Sequence, residues 1–403
     1  MIDWLVCGNV PEIRGIQFCV PCRDEITQNA VVEVNNSSIY SRGVPVEGSV
    51  NDLRMGTTDR RLRCTTCWNN IIACTGHAGV IKLPTPVLHG AYVDNVLKIL
   101  RSICFECARP RACLDEVSDF RGGKFQFAAA YQACRSRKKC HYCDADCVNF
   151  SKRGVFLKMA GRPDVTLRHM ADVIRCISDA DWRSMGFDPE ATKPGSLVLD
   201  RLTVPPPCLR PSITNDSRSR GQDDLTHSLQ DQNRLALACW KEIGASPPAG
   251  SLESFLDEPA SRDVSPELFE KLQAAICSFC NNQKAETRAT QRSGAPLKTI
   301  KDRLVGKEGL VRGNMLGKRT DFSARSVISP DPTIELYEVG VPVHMCTELT
   351  TPEIVNDRNK AVLQAMVCQG PGKIGGAAKI VTTEGAELDL NHCELIESIN
   401  LRP

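Results

Sequence analysis

Three cysteines and one histidine stand within fourteen positions, in the order Cys64-x2-Cys67-x6-Cys74-x2-His77. A gap of two residues lets both side chains of a pair reach one ion, and Gly76 permits a tight turn beside His77. Thiolate and imidazole ligands in two such pairs favour tetrahedral Zn²⁺. Four protein ligands leave no position for an activated water, so the pattern predicts a structural zinc site. The alternative is four unrelated core residues, which two pairs at this separation disfavour.

A second candidate site combines Cys104-x2-Cys107 with Cys140-x2-Cys143, which follows the basic run RSRKK. The same ligand chemistry predicts a second structural Zn²⁺ here. Other cysteines stand close enough in sequence to replace one of these ligands: Cys113, Cys134 and Cys147. The sequence therefore does not decide which cysteines complete the second site. The alternative is that only one of the two pairs binds metal, or that neither does.

Two further CxxC pairs, Cys19-x2-Cys22 and Cys277-x2-Cys280, have no second pair near them. A redox role would favour a CxxC beside a βαβ pattern, which the sequence does not show. We expect buried thiols at both pairs.

The composition excludes several classes of protein. The chain has 21 cysteines among 403 residues, and its first residues lack the basic flank and apolar stretch of a secretory signal. A secreted disulfide scaffold is therefore disfavoured. No apolar run approaches the ~18 residues of a membrane span. The formal charge of +2 means that any nucleic-acid footprint must be local.

Periodicity predicts an α+β fold of several modules around the cysteines. Residues 1–63 favour short strands and turns, and helices are expected over 91–100, 167–177 and 179–185. A helical hairpin is predicted over 223–280, beginning at Asp223–Asp224 and returning from Ser265 and Pro266. The alternative for this stretch is two unrelated surface helices.

Residues 298–325 hold eight basic and three acidic residues, with four interspersed glycines. Aromatic residues are nearly absent, so the cations favour sequence-independent contact with phosphates and not base stacking. A strand is expected over DFSARSVISP, which begins at Asp321. The alternative is a solvated charged face.

Several long motifs together resemble the largest subunit of multisubunit DNA-dependent RNA polymerases, of the eukaryotic, archaeal and large-DNA-virus type. They stand in the family's order and cover nearly the whole chain. The motifs are NDLRMGTTDRRLRC (51–64), CTGHAGVIKL (74–83), VPPPCLRPS…DDLTH (204–227), QRSGAPLKTIKDRLVGKEG (291–309) and GKRTDFSARSVISPDPTIELYEVGVP (317–342).

The resemblance implies a zinc-stapled clamp over 1–200, with zinc sites at 64–77 and 104–143. It further implies a lid-like loop (201–222), the clamp coiled coil (223–280), a rudder-like loop (281–298), a switch and template-binding segment that begins the active-site barrel (299–345), and the start of a β-rich region (346–403). The residues expected to bind nucleic acid are Lys307, Arg312, Lys318, Arg319 and Arg325. Val305 and Leu310 stand where the family commonly has basic residues, which implies weaker template contact or contact from elsewhere.

The same resemblance implies that catalysis needs three aspartates of an NADFDGD-type loop, which hold Mg²⁺. This motif is absent from the sequence, so we expect no catalytic residue here and a chain that is one half of a split subunit or a truncated product. It would act within the assembled nucleotidyltransferase.

The implied partners are the second-largest and other polymerase subunits, the C-terminal part of the largest subunit, template DNA, RNA–DNA hybrid and initiation factors, without a membrane. The implied location is the nucleus or cytoplasm, or a virion if the source is viral. The competing hypothesis is a stand-alone, zinc-stabilised protein that binds nucleic acid or transcription factors.

Overall fold

The computed structural model describes residues 18–114, 123–161, 165–215, 219–244, 264–284, 288–291, 293–383 and 385–392, together with Ile399 and Leu401. The chain divides into two compact units, Met1–Leu310 and Val311–Pro403. Helices and strands are mixed in both units, which confirms the α+β class. No helix within these ranges is long and apolar enough to cross a membrane.

The first unit combines short strands with helices of five to twenty residues. Its described helices are α1 (Arg23–Asn29), α2 (Val93–Ser102), α3 (Gly123–Arg135), α4 (Leu167–Arg175), α5 (Asp179–Ser184), α6 (Asp224–Ile243), α7 (Pro266–Cys280) and α8 (Ile300–Leu304). Its described strands are β1 (Ala30–Glu33), β2 (Tyr40–Ser41), β3 (Val44–Pro45), β4 (Ala78–Leu88), β5 (Phe150–Arg153), β6 (Phe156–Met159), β7 (Val198–Val204), β8 (Ile213–Asn215) and β9 (Ser219–Gly221).

The central sheet has the order β1-β4-β7, with β4 parallel to β1 and antiparallel to β7. The pairing of β4 with β7 is interrupted between Lys82 and Val87. This interval contains Pro84 and Pro86, which have no backbone N–H to donate to a ladder. The other described strands form two-stranded sheets: β2-β3, β5-β6 and β8-β9.

Two apolar clusters make the core of this unit. One gathers side chains from α2, α3, α4 and α5, with Trp182, Ile99 and Met170 almost fully buried. The other lies between the sheet and the pair α6–α7, and includes Ile81 and Leu272. The cysteine-rich part and the helical hairpin thus each have their own apolar support.

Helices α6 and α7 form an antiparallel hairpin, as predicted. Gln232 Nε2 donates to the Ala275 carbonyl at 3.3 Å, and Ser265 Oγ donates to Glu242 Oε2 at 3.2 Å, so the helices run in opposite directions. Asp223 caps α6 by accepting a hydrogen bond from the Leu225 N–H. The two helices share one apolar cluster, which excludes the alternative of unrelated surface helices. The connection 245–263 lies outside the described residues.

Two expectations need correction. Residues 1–63 are not only strands and turns, because Arg23–Asn29 form α1. Cys19 is exposed and Cys22 is half-buried, since Cys22 is the N-cap residue of this surface helix. In the other pair the thiol of Cys277 is buried as expected, because α7 turns that residue into the core, whereas Cys280 is half-buried.

The second unit contains α9 (Val343–Glu348), α10 (Lys360–Gln369), β10 (Lys379–Val381) and β11 (Glu387–Asp389). The two strands pair with each other, and Val367, Leu390 and Leu401 form its small apolar cluster. Residues 346–403 were expected to be β-rich. Among the described residues of this stretch, more lie in helices than in strands. The strand expected from Asp321 is not formed, since no described strand lies beside that segment to pair with it.

Candidate metal centres and nucleic-acid interface

The first cluster brings together the four residues expected from their spacing. One ligand atom from each of Cys64, Cys67, Cys74 and His77 lies within 4.8 Å of all the others. His77 directly precedes β4, and its N–H donates to the Met55 carbonyl at 3.0 Å. The central sheet therefore fixes one end of the cluster.

The chemistry of this cluster fits a metal ion. His77 Nε2 is buried and has no hydrogen-bond partner among the described residues, as expected for an atom whose lone pair binds a metal. The nearby His77 side chain lowers the pKa of Cys67 to about 6, whereas burial raises the pKa of Cys74 to about 11. A bound cation would offset the cost of burying these thiolates.

The second cluster resolves the choice of distal cysteines that the sequence left open. Ligand atoms of Cys104, Cys107, Cys140 and Cys143 lie within 4.8 Å of one another. Cys104 Sγ is 3.6 Å from Cys143 Sγ, and Cys107 Sγ is 3.7 Å from Cys140 Sγ. Four thiolates bound tetrahedrally at ~2.3 Å would be separated by ~3.8 Å, and a disulfide would need ~2.05 Å. The sulfurs are therefore spaced for a shared ion.

Three of the four ligand pairs share one backbone turn, which begins at Cys64, Cys104 or Cys140. In each, the first cysteine accepts a hydrogen bond from the N–H four residues later and donates to the carbonyl five residues later. The residue four positions on has a positive φ in every case, namely Trp68 (60°), Ala108 (56°) and Asp144 (55°). The turn aims both sulfurs of a pair at one point.

The pair Cys74–His77 uses a different turn, in which Gly76 has a φ of 87°. A Cβ at Gly76 would lie 2.7 Å from both Cys208 Sγ and Pro206 Cβ. The chain segment that contains the three prolines thus packs directly against the first cluster. Glycine is needed here for its φ and for this close approach.

A buried arginine organises the second cluster. The Arg111 guanidinium, 1 % exposed, donates to the carbonyls of Leu100 (3.1 Å), Ile103 (2.8 Å) and Val148 (2.6 Å). Its backbone N–H donates to Ser102 O at 2.8 Å, and its carbonyl accepts a hydrogen bond from the N–H of His141. His141 lies in the turn over Cys140–Cys143, which we call the second knuckle; the like turn over Cys104–Cys107 is the first. Burial lowers the pKa of Arg111, and the surrounding cysteines oppose that shift. Arg111 therefore joins the chain before Cys104 to the chain after Cys143.

A second buried arginine anchors the segment after the three prolines. Arg210, 2 % exposed, donates to Asn51 Oδ1, to Thr226 Oγ1 (3.1 Å) and to the carbonyls of Pro205 (3.0 Å) and Val50. Burial lowers its pKa to about 10. Sequence inspection missed both arginines, because no local pattern distinguishes them from surface cations.

The five candidate nucleic-acid contacts are all exposed: Lys307 in the first unit, and Arg312, Lys318, Arg319 and Arg325 in the second. None forms an ion pair with another described residue. Residues Leu310–Met315 form a π-helix, a geometry that is frequent at functional sites. The cations are thus available to a polyanion.

Two family models match consecutive parts of the chain. RNA polymerase Rpb1, domain 1, matches residues 10–315, and RNA polymerase Rpb1, domain 2, matches residues 317–402. The chain belongs to the Rpb1 family of RNA polymerase largest subunits. The resemblance found in the sequence motifs is therefore confirmed.

Named relatives give the same assignment. The DNA-directed RNA polymerase II subunit RPB1 of Euplotoides octocarinatus is 31 % identical over 420 residues, which cover 96 % of this chain and 84 % of that protein. Subunit Rpo1N of Sulfolobus acidocaldarius is 32 % identical, with 94 % of this chain and 44 % of the relative covered. Rpo1N of Thermococcus celer is 33 % identical, with 94 % of this chain and 43 % of the relative covered. The chain spans less than half the length of these archaeal relatives.

Proposed function

We propose that this Rpb1-family chain is the clamp portion of a DNA-directed RNA polymerase largest subunit. It would grip template DNA and the RNA–DNA hybrid while the assembled enzyme transfers nucleotidyl groups from NTPs to RNA. The observation that carries the proposal is the match to two consecutive Rpb1 domains over nearly the whole chain. The stand-alone zinc protein, the competing hypothesis, gains no support from the relatives.

The two clusters are assigned to one structural Zn²⁺ each. Cys64, Cys67, Cys74 and His77 would hold the first ion, and the second would have four cysteine ligands: Cys104, Cys107, Cys140 and Cys143. Thiolate and imidazole ligands select zinc over Mg²⁺ or Ca²⁺. When bound, each ion supplies folding free energy and no reactive water, since its four positions are filled.

The proposed division of labour follows the elements. Residues 1–200 would be the clamp core, 201–222 the lid-like loop, 223–280 the coiled coil for transcription factors and 281–298 the rudder-like loop. The hairpin α6–α7 is long enough to project a docking surface, with twenty residues in α6. Residues 299–345 would be the switch segment and the start of the active-site barrel, and 346–403 the region that follows.

The exposed cations Lys307, Arg312, Lys318, Arg319 and Arg325 would bind phosphates of template and hybrid. Such contacts position the nucleic acid without reading its sequence. No catalytic role is assigned in this chain. Mg²⁺, its aspartate loop and the second-largest subunit would come from the remaining polymerase, which acts in the nucleus or cytoplasm.

Assembly tests the proposal. The chain should copurify with a second-largest subunit and a complementary C-terminal part of the largest subunit when the three are produced together. Failure to associate under these conditions contradicts the clamp assignment. A stable monomer that binds DNA with full affinity alone would favour the stand-alone protein.

Salt dependence tests the cationic segment separately. Arg319→Ala should lower the slope of log K against log[salt] by about 0.9 for duplex DNA, the value for one phosphate contact. Arg358→Ala, an exposed arginine of the same unit outside the segment, is the matched control. Equal slopes for the two variants would exclude Arg319 as a phosphate contact.

A further inference from the structure

A second group of cations lies outside the segment assigned to the template. Arg135, Arg137, Lys138 and Lys139 occupy four of the five positions before Cys140, and all four are exposed. Arg135 ends α3, and the other three lead into the second knuckle. None forms an ion pair with another described residue.

The metal cluster beside this run does not account for its charge. A divalent ion with four thiolates carries two negative charges, which a nearby cation would stabilise. Arg111 already fills that role, because its guanidinium is buried among Cys104, Cys134, Cys140 and Cys147. The four cations of the run face solvent, where water screens their attraction to the sulfurs.

Neighbouring acids offset the run only in part. Asp144 and Asp146 are exposed on the returning side of the knuckle, and Lys139 forms a backbone bridge with Asp146. This bridge pairs backbones and not side-chain charges, so four exposed cations stand against two carboxylates. A local excess of cations of this kind is suited to a polyanion.

Two aromatic rings of this module lie beside arginines, one of them at Arg135 of the run itself. Tyr142, in the second knuckle, is 45 % exposed, and the Arg109 guanidinium lies 5.4 Å from its ring centre. The Arg135 guanidinium lies 5.7 Å from the ring centre of Tyr131. Stacked rings and guanidinium groups beside free cations are the combination with which proteins bind unpaired bases and their phosphates.

The surface is held rigidly by the knuckle itself. Cys140 N–H donates to the Ala145 carbonyl at 2.9 Å, and Cys147 N–H donates to the Lys138 carbonyl at 2.7 Å. His141 N–H donates to the Arg111 carbonyl at 3.0 Å, which ties the ring-bearing turn to the buried arginine. Little ordering would be needed on binding.

We infer that Arg135, Arg137, Lys138 and Tyr142 form a second nucleic-acid surface, which binds the phosphates of a single strand and stacks one base on Tyr142. This surface belongs to the first unit, and its residues are not among the proposed template contacts. An unpaired stretch of DNA or RNA has the required chemistry, whereas a duplex conceals its bases.

The test uses the whole purified chain and a fluorescent 20-nucleotide single-stranded DNA of mixed sequence, with binding measured by anisotropy at several salt concentrations. Arg137→Gln/Lys138→Gln should lower the slope of log K against log[salt] by about 1.4, from two contacts at about 0.7 each. The control Lys241→Gln/Lys271→Gln removes the same charge from exposed positions on the hairpin and should leave the slope unchanged. An equal change in both variants, or none in either, overturns the inference.

Stacking is tested on the ring. Tyr142→Ala should weaken single-strand binding about five-fold or more and leave binding of a 20-base-pair duplex unchanged, whereas Tyr142→Phe should bind like the parent. Binding of the single strand by Tyr142→Ala at the parent affinity overturns the assignment. So does preferential binding of a polyglutamate peptide, since that result would identify an acidic protein as the partner.

Metal content of every variant is measured in parallel. If the double variant loses metal, Arg135→Gln, which lies in α3 outside the knuckle, repeats the test with an expected slope change of about 0.7. If Arg319→Ala lowers the salt slope and these variants do not, the proposed template contact is retained and this inference is wrong. The two nucleic-acid surfaces can therefore fail independently.

Discussion

The two candidate metal clusters have similar ligand residues but are assembled in different ways. The first takes its four ligands from one local stretch, 64–77, and joins β4 at one end and the Pro206–Cys208 turn on its side. The second joins two like knuckles that stand 33 to 39 residues apart and adds a buried arginine between them. A local site can form early and serve as a fixed point, whereas the distant site holds separate segments together.

This difference predicts which ligand loss does more damage. Cys140→Ser and Cys67→Ser should each remove one of two metals and lower the free energy of unfolding by on the order of 5 kcal/mol. The loss should be larger for Cys140→Ser by about 1 kcal/mol, since its cluster closes the longer loop. Elemental mass spectrometry and thermal unfolding measure both effects.

Cys176→Ser is the matched control, because Cys176 is exposed and belongs to neither cluster. It should keep both metals and the parent melting temperature. Two metals in Cys140→Ser would mean that Cys134 or Cys147 can replace the lost ligand, which would remove the contrast between the clusters.

Arg111 is a second difference between the clusters. Among the described residues, no buried arginine lies between the ligands of the first cluster as Arg111 does in the second. Arg111→Met should weaken metal binding at the second cluster by about 10- to 100-fold, because three carbonyls lose their donor and the thiolates lose a nearby cation. Arg111→Lys should recover part of that affinity through its charge. Competition with a colorimetric chelator measures both sites, and an equal loss at both clusters would contradict the assigned role.

Packing against the Pro206–Cys208 turn is the corresponding special feature of the first cluster. Gly76→Ala should lower the free energy of unfolding by about 2 kcal/mol or more, from its positive φ and the contact with Cys208 Sγ. Gly43→Ala is the control, since Gly43 has a φ of 82° but nothing within 4 Å of the added Cβ. It should cost about 1 kcal/mol. Equal melting temperatures for the two variants would exclude the packing contribution.

Sequence reasoning found what is encoded locally. Ligand spacing identified the cysteine pairs, and periodicity with capping residues located α5, α6 and α7, where Ser178 and Asp223 accept hydrogen bonds from their helix N-termini. These features depend on residues three or four positions apart. The choice of Cys140 and Cys143 over their neighbours needed the fold, because several cysteines satisfied the same spacing.

Features that depend on distant residues were missed. The contact of Gly76 with Cys208 joins positions 132 residues apart, and Arg111 contacts Val148 across 37 residues. The strand expected from Asp321 illustrates the same limit, because β propensity needs a neighbouring strand to satisfy the backbone. The prediction that Cys19 is buried was wrong for a related reason. The spacing of two cysteines does not show which side of their turn faces solvent.

The smallest predicted difference concerns the metal-free thiols. The nearby His77 side chain lowers the pKa of Cys67 to about 6, whereas burial raises the pKa of Cys107 in the second cluster to about 12. Because the pKa of Cys67 lies below the usual value of ~8.5, its thiolate favours the folded metal-free chain above that pH. This contribution is lost as the pH falls through 6.

After chelation at pH 7, iodoacetamide should therefore modify Cys67 well before Cys107, with the order read by peptide mass spectrometry. His77→Ala should slow the labelling of Cys67 and leave Cys107 unchanged; equal labelling rates in the parent chain would show that the two clusters do not differ in this respect.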